Sequence, residues 1–95
     1  MVHSEHAHDL ATVFQALAYP TRVRIIARLR EGPISVSALA EELGIRQATL
    51  SNHLRVLRQA RLVVGDRDGR TISYHLADEH VATFFDQALL HLGHE

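Results

Sequence analysis

The sequence SVSALAEELGIRQATLSNHLRVLRQARLV, residues 35–63, reads as two short helices joined by a tight turn. Ser35 is a favourable N-cap for the first helix, which is predicted to end at Gly44. The second helix is predicted from about Gln47 to Ala60, and its inward-facing leucines recur at spacings of four and three residues. These leucines are Leu50, Leu54 and Leu57. Two helices around a Gly-bearing turn, the second with a polar, Arg-rich outer face, are typical of a helix-turn-helix that binds DNA.

The outer face of the second helix carries side chains that can contact DNA. Polar side chains can read base edges in the major groove, and arginines can also bind phosphates. The candidates for contacts to base edges are Gln47, Thr49, Ser51, Asn52 and Arg55. Arg46, just before the helix, is a further candidate for contact with DNA. Arg58 is a candidate for a phosphate or minor-groove contact, and His53 for a structural or phosphate contact. The alternative for these arginines is a merely solvated helix face.

A β-hairpin is predicted directly after the helix-turn-helix. The stretch LVVGDRDGRTISYHL, residues 62–76, has two β-rich arms around Asp68-Gly69, a dipeptide suited to a tight hairpin turn. Arg67 and Arg70 flank the tip. Such a hairpin is typical of a wing that contacts the DNA backbone or minor groove beside the major-groove helix. The expected fold is therefore mainly α with a small β-hairpin wing, a winged helix-turn-helix that dimerises through its N- and C-terminal helices.

Two further helices are predicted before this unit. DLATVFQALA has apolar residues at helical spacing and predicts a helix over roughly 8–18. The next helix is opened by Pro20 or Thr21 and stopped by Gly32-Pro33. Residues 1–8 are expected to be a polar tail bearing histidines, and residues 9–95 to be one DNA-binding and dimerisation domain.

Composition limits the classes of protein to which the chain can belong. With 95 residues and 46% hydrophobic residues, it can form one small domain, and dimerisation would add to a limited core. The absence of cysteine excludes disulfides and thiolate metal sites. No secretion signal and no apolar run of about 20 residues is present, so a soluble, cytoplasmic protein is expected. The net charge of −1 combines an Arg-rich stretch at 46–70 with an acidic stretch at 71–95, which suits one anionic and one cationic partner.

The closing stretch DEHVATFFDQALLHLGH, residues 78–94, predicts a helix with two faces. On a helical wheel one side collects Val81, Phe85, Ala88, Leu89 and Leu92, and the other collects His80, Phe84, Gln87, His91 and His94. Asp78 precedes the helix as a good N-cap. His80 and His91 are 11 residues apart, or about 16 Å along a helix. One metal ion, which holds nitrogen ligands at about 2 Å, cannot bind both within one chain.

The two ends of this helix become neighbours if two copies pack antiparallel. Asp78 and His80 of one copy would then lie beside His91 and His94 of the other, at two equivalent sites of a two-fold dimer. A carboxylate and three imidazoles suit tetrahedral Zn²⁺ or Co²⁺. Six-coordinate Ni²⁺ would need further donors, from water or from the N-terminal tail. The additional candidates in the tail are His3, His6 and His8.

The whole chain resembles the ArsR/SmtB family of metal-responsive winged-helix repressors. The likeness is carried by residues 16–32, residues 50–76 and the closing helix. The resemblance implies a metal site of the form Asp-x-His, ten residues, His-x-x-His, and this pattern is matched by Asp78, His80, His91 and His94. The family's thiolate sensors carry a Cys-x-Cys-type pair where this chain has Ser35-Val36-Ser37, which argues against soft-metal and arsenic sensing.

These observations favour a homodimeric repressor that binds a two-fold symmetric operator in double-stranded DNA and responds to Zn²⁺, Ni²⁺ or Co²⁺. The alternative within the same fold is a DNA-binding regulator that no metal controls. A small metallo-hydrolase is a third reading, but four protein ligands leave no open coordination position and no general base is near. We therefore expect no enzyme.

Overall fold

The structure is a computed structural model, and it describes residues 3–93. The elements in that range are α1 (Ser4–Leu17), α2 (Pro20–Leu29), β1 (Ile34–Ser35), α3 (Val36–Leu43), α4 (Gln47–Gln59), β2 (Val63–Asp68), β3 (Thr71–Leu76) and α5 (Glu79–His91). The predicted order of two helices, helix-turn-helix, wing and closing helix is confirmed. None of the helices in the described range is long and apolar enough to cross a membrane.

The helix-turn-helix consists of α3 and α4. The Ser35 hydroxyl accepts a hydrogen bond from the Ala38 backbone N–H at 3.2 Å, which caps the start of α3. Gly44 ends the helix in the left-handed region, at φ 69°. The predicted N-cap of α3, Ser35, and its predicted end, Gly44, are therefore both confirmed.

The inward-facing leucines of α4 form the centre of the core. Leu50, Leu54 and Leu57 are at most 1% exposed, as predicted from their spacing. They pack in one cluster with buried residues of α2 and α3, among them Ile25 and Leu39. The core therefore fixes α4 against the body of the domain and leaves its polar side free.

The wing belongs to a three-stranded sheet with the strand order β1-β3-β2. The sequence predicted only the β2–β3 hairpin, because two residues of β1 are too few to show an alternating pattern. Ile34 pairs with Tyr74, which joins the wing to the start of α3. Asp68 pairs with Thr71, so the residues of the turn are Gly69 and Arg70 rather than Asp68-Gly69.

The first helix begins earlier than the sequence predicted. It starts at Ser4 instead of about residue 8, so His6 and His8 lie on α1 rather than in an irregular tail. The first turn of α1 is exposed on all sides, so no apolar periodicity marked it.

The closing helix α5 buries fewer of its apolar side chains within one chain than its apolar face predicted. Val81 is its only buried residue, and Leu92 is 70% exposed. Helical spacing tells which side chains share a face, but not which element covers that face. The apolar side of α5 and part of α2 border an open apolar groove of about 210 Å³, whose lining includes Val23, Leu89 and Leu92. Arg30 ties α2 to α5, because its guanidinium donates to both carboxylate oxygens of Asp86 at 2.8–3.2 Å.

Arg61, just after α4, has a left-handed backbone with φ 63°. This conformation is strained for a residue with a Cβ, whereas glycine adopts it freely. We expect Arg61→Gly to raise the free energy of unfolding by about 0.5–1 kcal/mol in urea denaturation. Arg61→Ala removes the same side chain and keeps the strain, so it should give no gain. Equal stability of the two variants would show that the strain is negligible.

Candidate metal centre and nucleic-acid interface

The side chains predicted to contact DNA lie together on the exposed side of α4 and on the wing. The structure leaves every one of them exposed: Arg46, Gln47, Thr49, Ser51, Asn52, Arg55, Arg58, Arg67 and Arg70. Arg55 lies 3.4 Å from Asn52 Oδ1, so these two polar groups support each other on the helix surface. The arrangement presents hydrogen-bonding groups and positive charge on one surface, as binding to a DNA groove requires.

Arg58 is held between α4 and the wing. Its guanidinium donates to the hydroxyl of the buried Tyr74 at 3.4 Å. The Tyr74 ring lies over Gly65 of the neighbouring strand, where a Cβ would approach the ring to 2.9 Å. Glycine is therefore needed at residue 65 for the ring to support Arg58. On the wing, His75 Nε2 of β3 lies 2.9 Å from the Asp66 carboxylate of β2.

A polar groove of about 280 Å³ opens where α3, α4 and the wing meet. The predicted residues Gln47, Ser51 and Arg70 line it. Ser37 and Thr71 also line it, and sequence reasoning did not single them out. Ser37 lies at the start of a capped helix, where a serine has an adequate structural explanation and gives no separate signal.

His53 is half-buried on the recognition helix α4 and contacts α2. Its Nδ1 accepts a hydrogen bond from Arg22 Nε at 3.1 Å. Burial lowers the pKa of His53 below its ordinary value, and the positive charge of Arg22 lowers this pKa further. The imidazole is therefore kept neutral in the folded protein.

This lowered pKa makes stability depend on pH. The unfolded chain binds a proton at His53 more readily than the folded chain, so folding is disfavoured as the pH falls below the unfolded value of about 6.5. The contribution of neutral His53 is fully present above that pH and is lost below it. Urea denaturation between about pH 5 and 8 should show a smaller acid loss of stability for His53→Asn than for the wild type. Identical pH profiles would contradict the assignment.

Asp78 and His80 lie together at the start of α5. Asp78 Oδ1 caps the helix by accepting a hydrogen bond from the Val81 N–H at 3.2 Å, as its sequence position predicted. His80 Nδ1 lies 3.4 Å from the same oxygen, and its side chain is 96% exposed. The second carboxylate oxygen of Asp78 and Nε2 of His80 have no partner within residues 3–93, so both are free to bind a metal ion.

The other two predicted metal ligands are not brought to this pair within one chain. His91 is the last residue of α5 and is exposed, and His94 lies outside the described residues. Within residues 3–93 no group of three His, Asp or Glu side chains could hold an ion. Among residues 3–93, the candidate ligands His80 and His91 lie near opposite ends of α5, so they are too far apart to bind one ion.

A groove of about 470 Å³ connects the candidate metal pair to two other elements. His8 and Asp9 of α1 line it together with Asp78 and His80. His3 and His6 are also exposed, with ring centroids 5.6 Å apart. The same groove is lined by the residues that end the recognition helix, from Gln59 to Leu62. The start of α5 therefore lies beside the end of α4.

Comparisons with known proteins agree with this architecture. A family model described as a helix-turn-helix domain matches residues 17–66. The chain is 50% identical to the HTH-type transcriptional regulator NmtR of Mycobacterium tuberculosis over 91 residues, which cover 96% of this chain and 76% of NmtR. It is 39% identical to the HTH-type transcriptional repressor SmtB of M. tuberculosis over 83 residues, which cover 87% of this chain and 62% of that protein.

Solved structures show the same fold. The solution structure of apo-NmtR superposes with a TM-score of 0.78 at 48% identity, covering 96% of this chain and 76% of that one. The homodimeric winged helix-turn-helix DNA-binding domain of a Mycobacterium bovis protein superposes with a TM-score of 0.88 at 31% identity, covering 92% and 81%. The chain therefore belongs to the ArsR/SmtB family of winged helix-turn-helix transcriptional regulators.

Proposed function

We propose that the chain acts in the cytoplasm as a homodimeric repressor, not as an enzyme, and that a divalent transition metal bound between its α5 helices lowers its affinity for operator DNA. The observation that carries the proposal is the distribution of side chains on α5. This helix has candidate metal ligands toward both ends and an apolar face that its own chain leaves open.

The open apolar face supports the homodimer. Phe14 of α1 and Phe84 of α5 pack together with ring centroids 5.9 Å apart, yet they are 53% and 44% exposed. Leu10 of α1 and Leu92, directly after α5, are also exposed, at 45% and 70%. Side chains of this size exposed together on two terminal helices favour burial against a second copy. The M. bovis domain of the same fold is homodimeric.

The donor chemistry supports the metal site. In an antiparallel pair of α5 helices, the free oxygen of Asp78 and Nε2 of His80 would be joined by His91 and His94 of the partner. This set would hold Zn²⁺ or Co²⁺ in a tetrahedral site, which neutralises the carboxylate and joins the two chains. His8, which lines the same groove as Asp78 and His80, is a further donor from residues 1–8, and His3 and His6 are others; they would extend the set for Ni²⁺.

The position of the groove supports a link between the metal and DNA. The end of the recognition helix, at Ala60 and Arg61, borders the groove that Asp78 and His80 line. Within one chain His91 lies at the far end of α5 from this groove, so a hydrogen bond to the backbone near the end of α4 would come from the partner's His91. Metal can lower operator affinity only as far as it binds more tightly to the dimer conformation that does not fit the operator. By the same linkage, bound DNA must weaken metal binding by the same factor.

Operator release by metal gives the direct test. We expect Zn²⁺, Ni²⁺ or Co²⁺, added at about one ion per chain, to weaken binding to a duplex that the protein selects from a random pool. A coupling of about 1–3 kcal/mol corresponds to about 5–150-fold in fluorescence anisotropy titrations. His80→Ala and His91→Ala should each abolish this change while leaving metal-free binding intact.

His75→Ala is the matched control, because His75 is engaged by Asp66 in the wing and should keep the metal response. No change of affinity with any of the three ions would support the alternative, a winged-helix regulator that metal does not control.

The absorption spectrum of bound Co²⁺ distinguishes zinc-type from nickel- or cobalt-type sites. A tetrahedral spectrum unaffected by replacing His3, His6 and His8 favours zinc-type sensing, and a six-coordinate spectrum that depends on them favours nickel or cobalt.

A further inference from the structure

Arg22 of α2 is fixed at the junction of three helices. Its guanidinium carbon lies 4.0 Å from the centroid of the Tyr19 ring, a cation–π arrangement. One terminal nitrogen donates to the Ala16 carbonyl oxygen of α1 at 3.4 Å. Nε donates to His53 Nδ1 of α4 at 3.1 Å. Three contacts in three directions leave this arginine little conformational freedom.

The contact with Arg22 fixes the proton of His53. An arginine nitrogen can only donate, so Nδ1 of His53 must be the unprotonated acceptor. The proton of the neutral ring is therefore on Nε2. Within residues 3–93 no buried side-chain nitrogen lacks a hydrogen-bond partner. His53 Nε2 has no partner there, so it reaches solvent and its N–H is free to donate.

We infer that Arg22 is a positioning residue for operator binding, because it orients His53 so that the Nε2–H donates to a phosphate of the DNA backbone. His53 lies one helical turn after Thr49, on the edge of α4 between the DNA-facing side and the buried leucines. Half or more of the hydrogen bonds between proteins and DNA go to phosphate and sugar oxygens, so an N–H donor on the flank of the recognition helix suits a phosphate contact better than a base contact. The inference rests on DNA binding alone and is independent of metal.

Two isosteric substitutions separate this role from a purely structural one. Asn places an acceptor near the position of Nδ1 and nothing at Nε2, whereas Gln reaches the position of Nε2 and lacks the Nδ1 acceptor. We expect His53→Asn to keep the thermal midpoint yet to lose about tenfold in affinity for the selected duplex, with His53→Gln less affected. Because phosphates carry no sequence information, affinity for an unrelated duplex should fall equally.

The tautomer can be observed directly. In ¹H–¹⁵N spectra of the imidazoles in the full chain, wild-type His53 should show the Nε2–H form, and Arg22→Ala should give a mixture of tautomers with about tenfold weaker DNA binding. Arg24→Ala is the matched control, because it removes an equal charge from α2, and within residues 3–93 the Arg24 side chain hydrogen-bonds to the Leu43 carbonyl rather than to His53. The affinity of Arg24→Ala for the selected duplex should stay within about twofold of the wild-type affinity.

Three results would overturn the inference. They are an Nδ1–H tautomer in the wild type, wild-type affinity in His53→Asn, and a loss confined to the selected duplex, which would indicate a base contact instead.

Discussion

Replacing Leu92 by arginine is expected to convert the dimer to monomers and to weaken operator binding by about 100-fold or more, because one protomer offers only one recognition helix to a two-half-site operator. Leu92 is 70% exposed in one chain and lines the apolar groove beside α2. Burial of a leucine contributes about 1.5–3 kcal/mol, and placing an unpaired charge in the same apolar interface costs more.

Sedimentation equilibrium and anisotropy titrations measure both parts of this prediction. The fold of the variant should persist in circular dichroism, because Leu92 supports no buried position within its own chain. Val64→Arg, at an exposed apolar residue of β2, is the control for oligomeric state and should remain dimeric. A dimeric Leu92→Arg protein would show that α5 does not form the interface.

Leu57→Ala is expected to lower the free energy of unfolding by about 2–5 kcal/mol, through lost burial and the cavity that remains. Leu57 is 0% exposed and belongs to the core cluster that the recognition helix shares with buried residues of α2 and α3. The loss is a large share of the about 5–15 kcal/mol typical of a small domain. DNA binding should fall with the folded fraction.

Urea denaturation at one fixed protein concentration is the measurement, since dimerisation makes apparent stability depend on concentration. Gln59→Ala, at an exposed residue of the same helix, should change stability by no more than about 0.5 kcal/mol. A loss below about 1 kcal/mol in Leu57→Ala would mean that the core collapses around the cavity.

Several elements followed from local rules that act within a few residues. The spacing of Leu50, Leu54 and Leu57 determined the buried side of α4 and therefore its exposed DNA side. Ser35 and Gly44 marked the ends of α3, since capping and left-handed backbone depend on the residue type at one position. Asp78 likewise predicted the start of α5, as its N-cap. Such rules depend on neighbours along the chain, which a sequence displays completely.

Other features depend on neighbours across the fold. The strand β1 forms because Ile34 pairs with Tyr74, far along the chain. Tyr74 lies over Gly65 only because β2 and β3 pair in this register. The exposure of Leu92 could not be predicted, because an apolar face looks the same whether its own chain or a partner covers it.

The sequence by itself determined the winged helix-turn-helix, the exposed arginines of α4 and the wing, and the placement of histidines toward both ends of α5, because helical periodicity, capping and motif spacing are local properties. Only the tertiary structure decided that Arg22 contacts His53, that the start of α5 lies beside the end of α4, and that α5 keeps an open apolar side. These depend on how helices pack against one another, and packing is set by the shapes of many side chains at once.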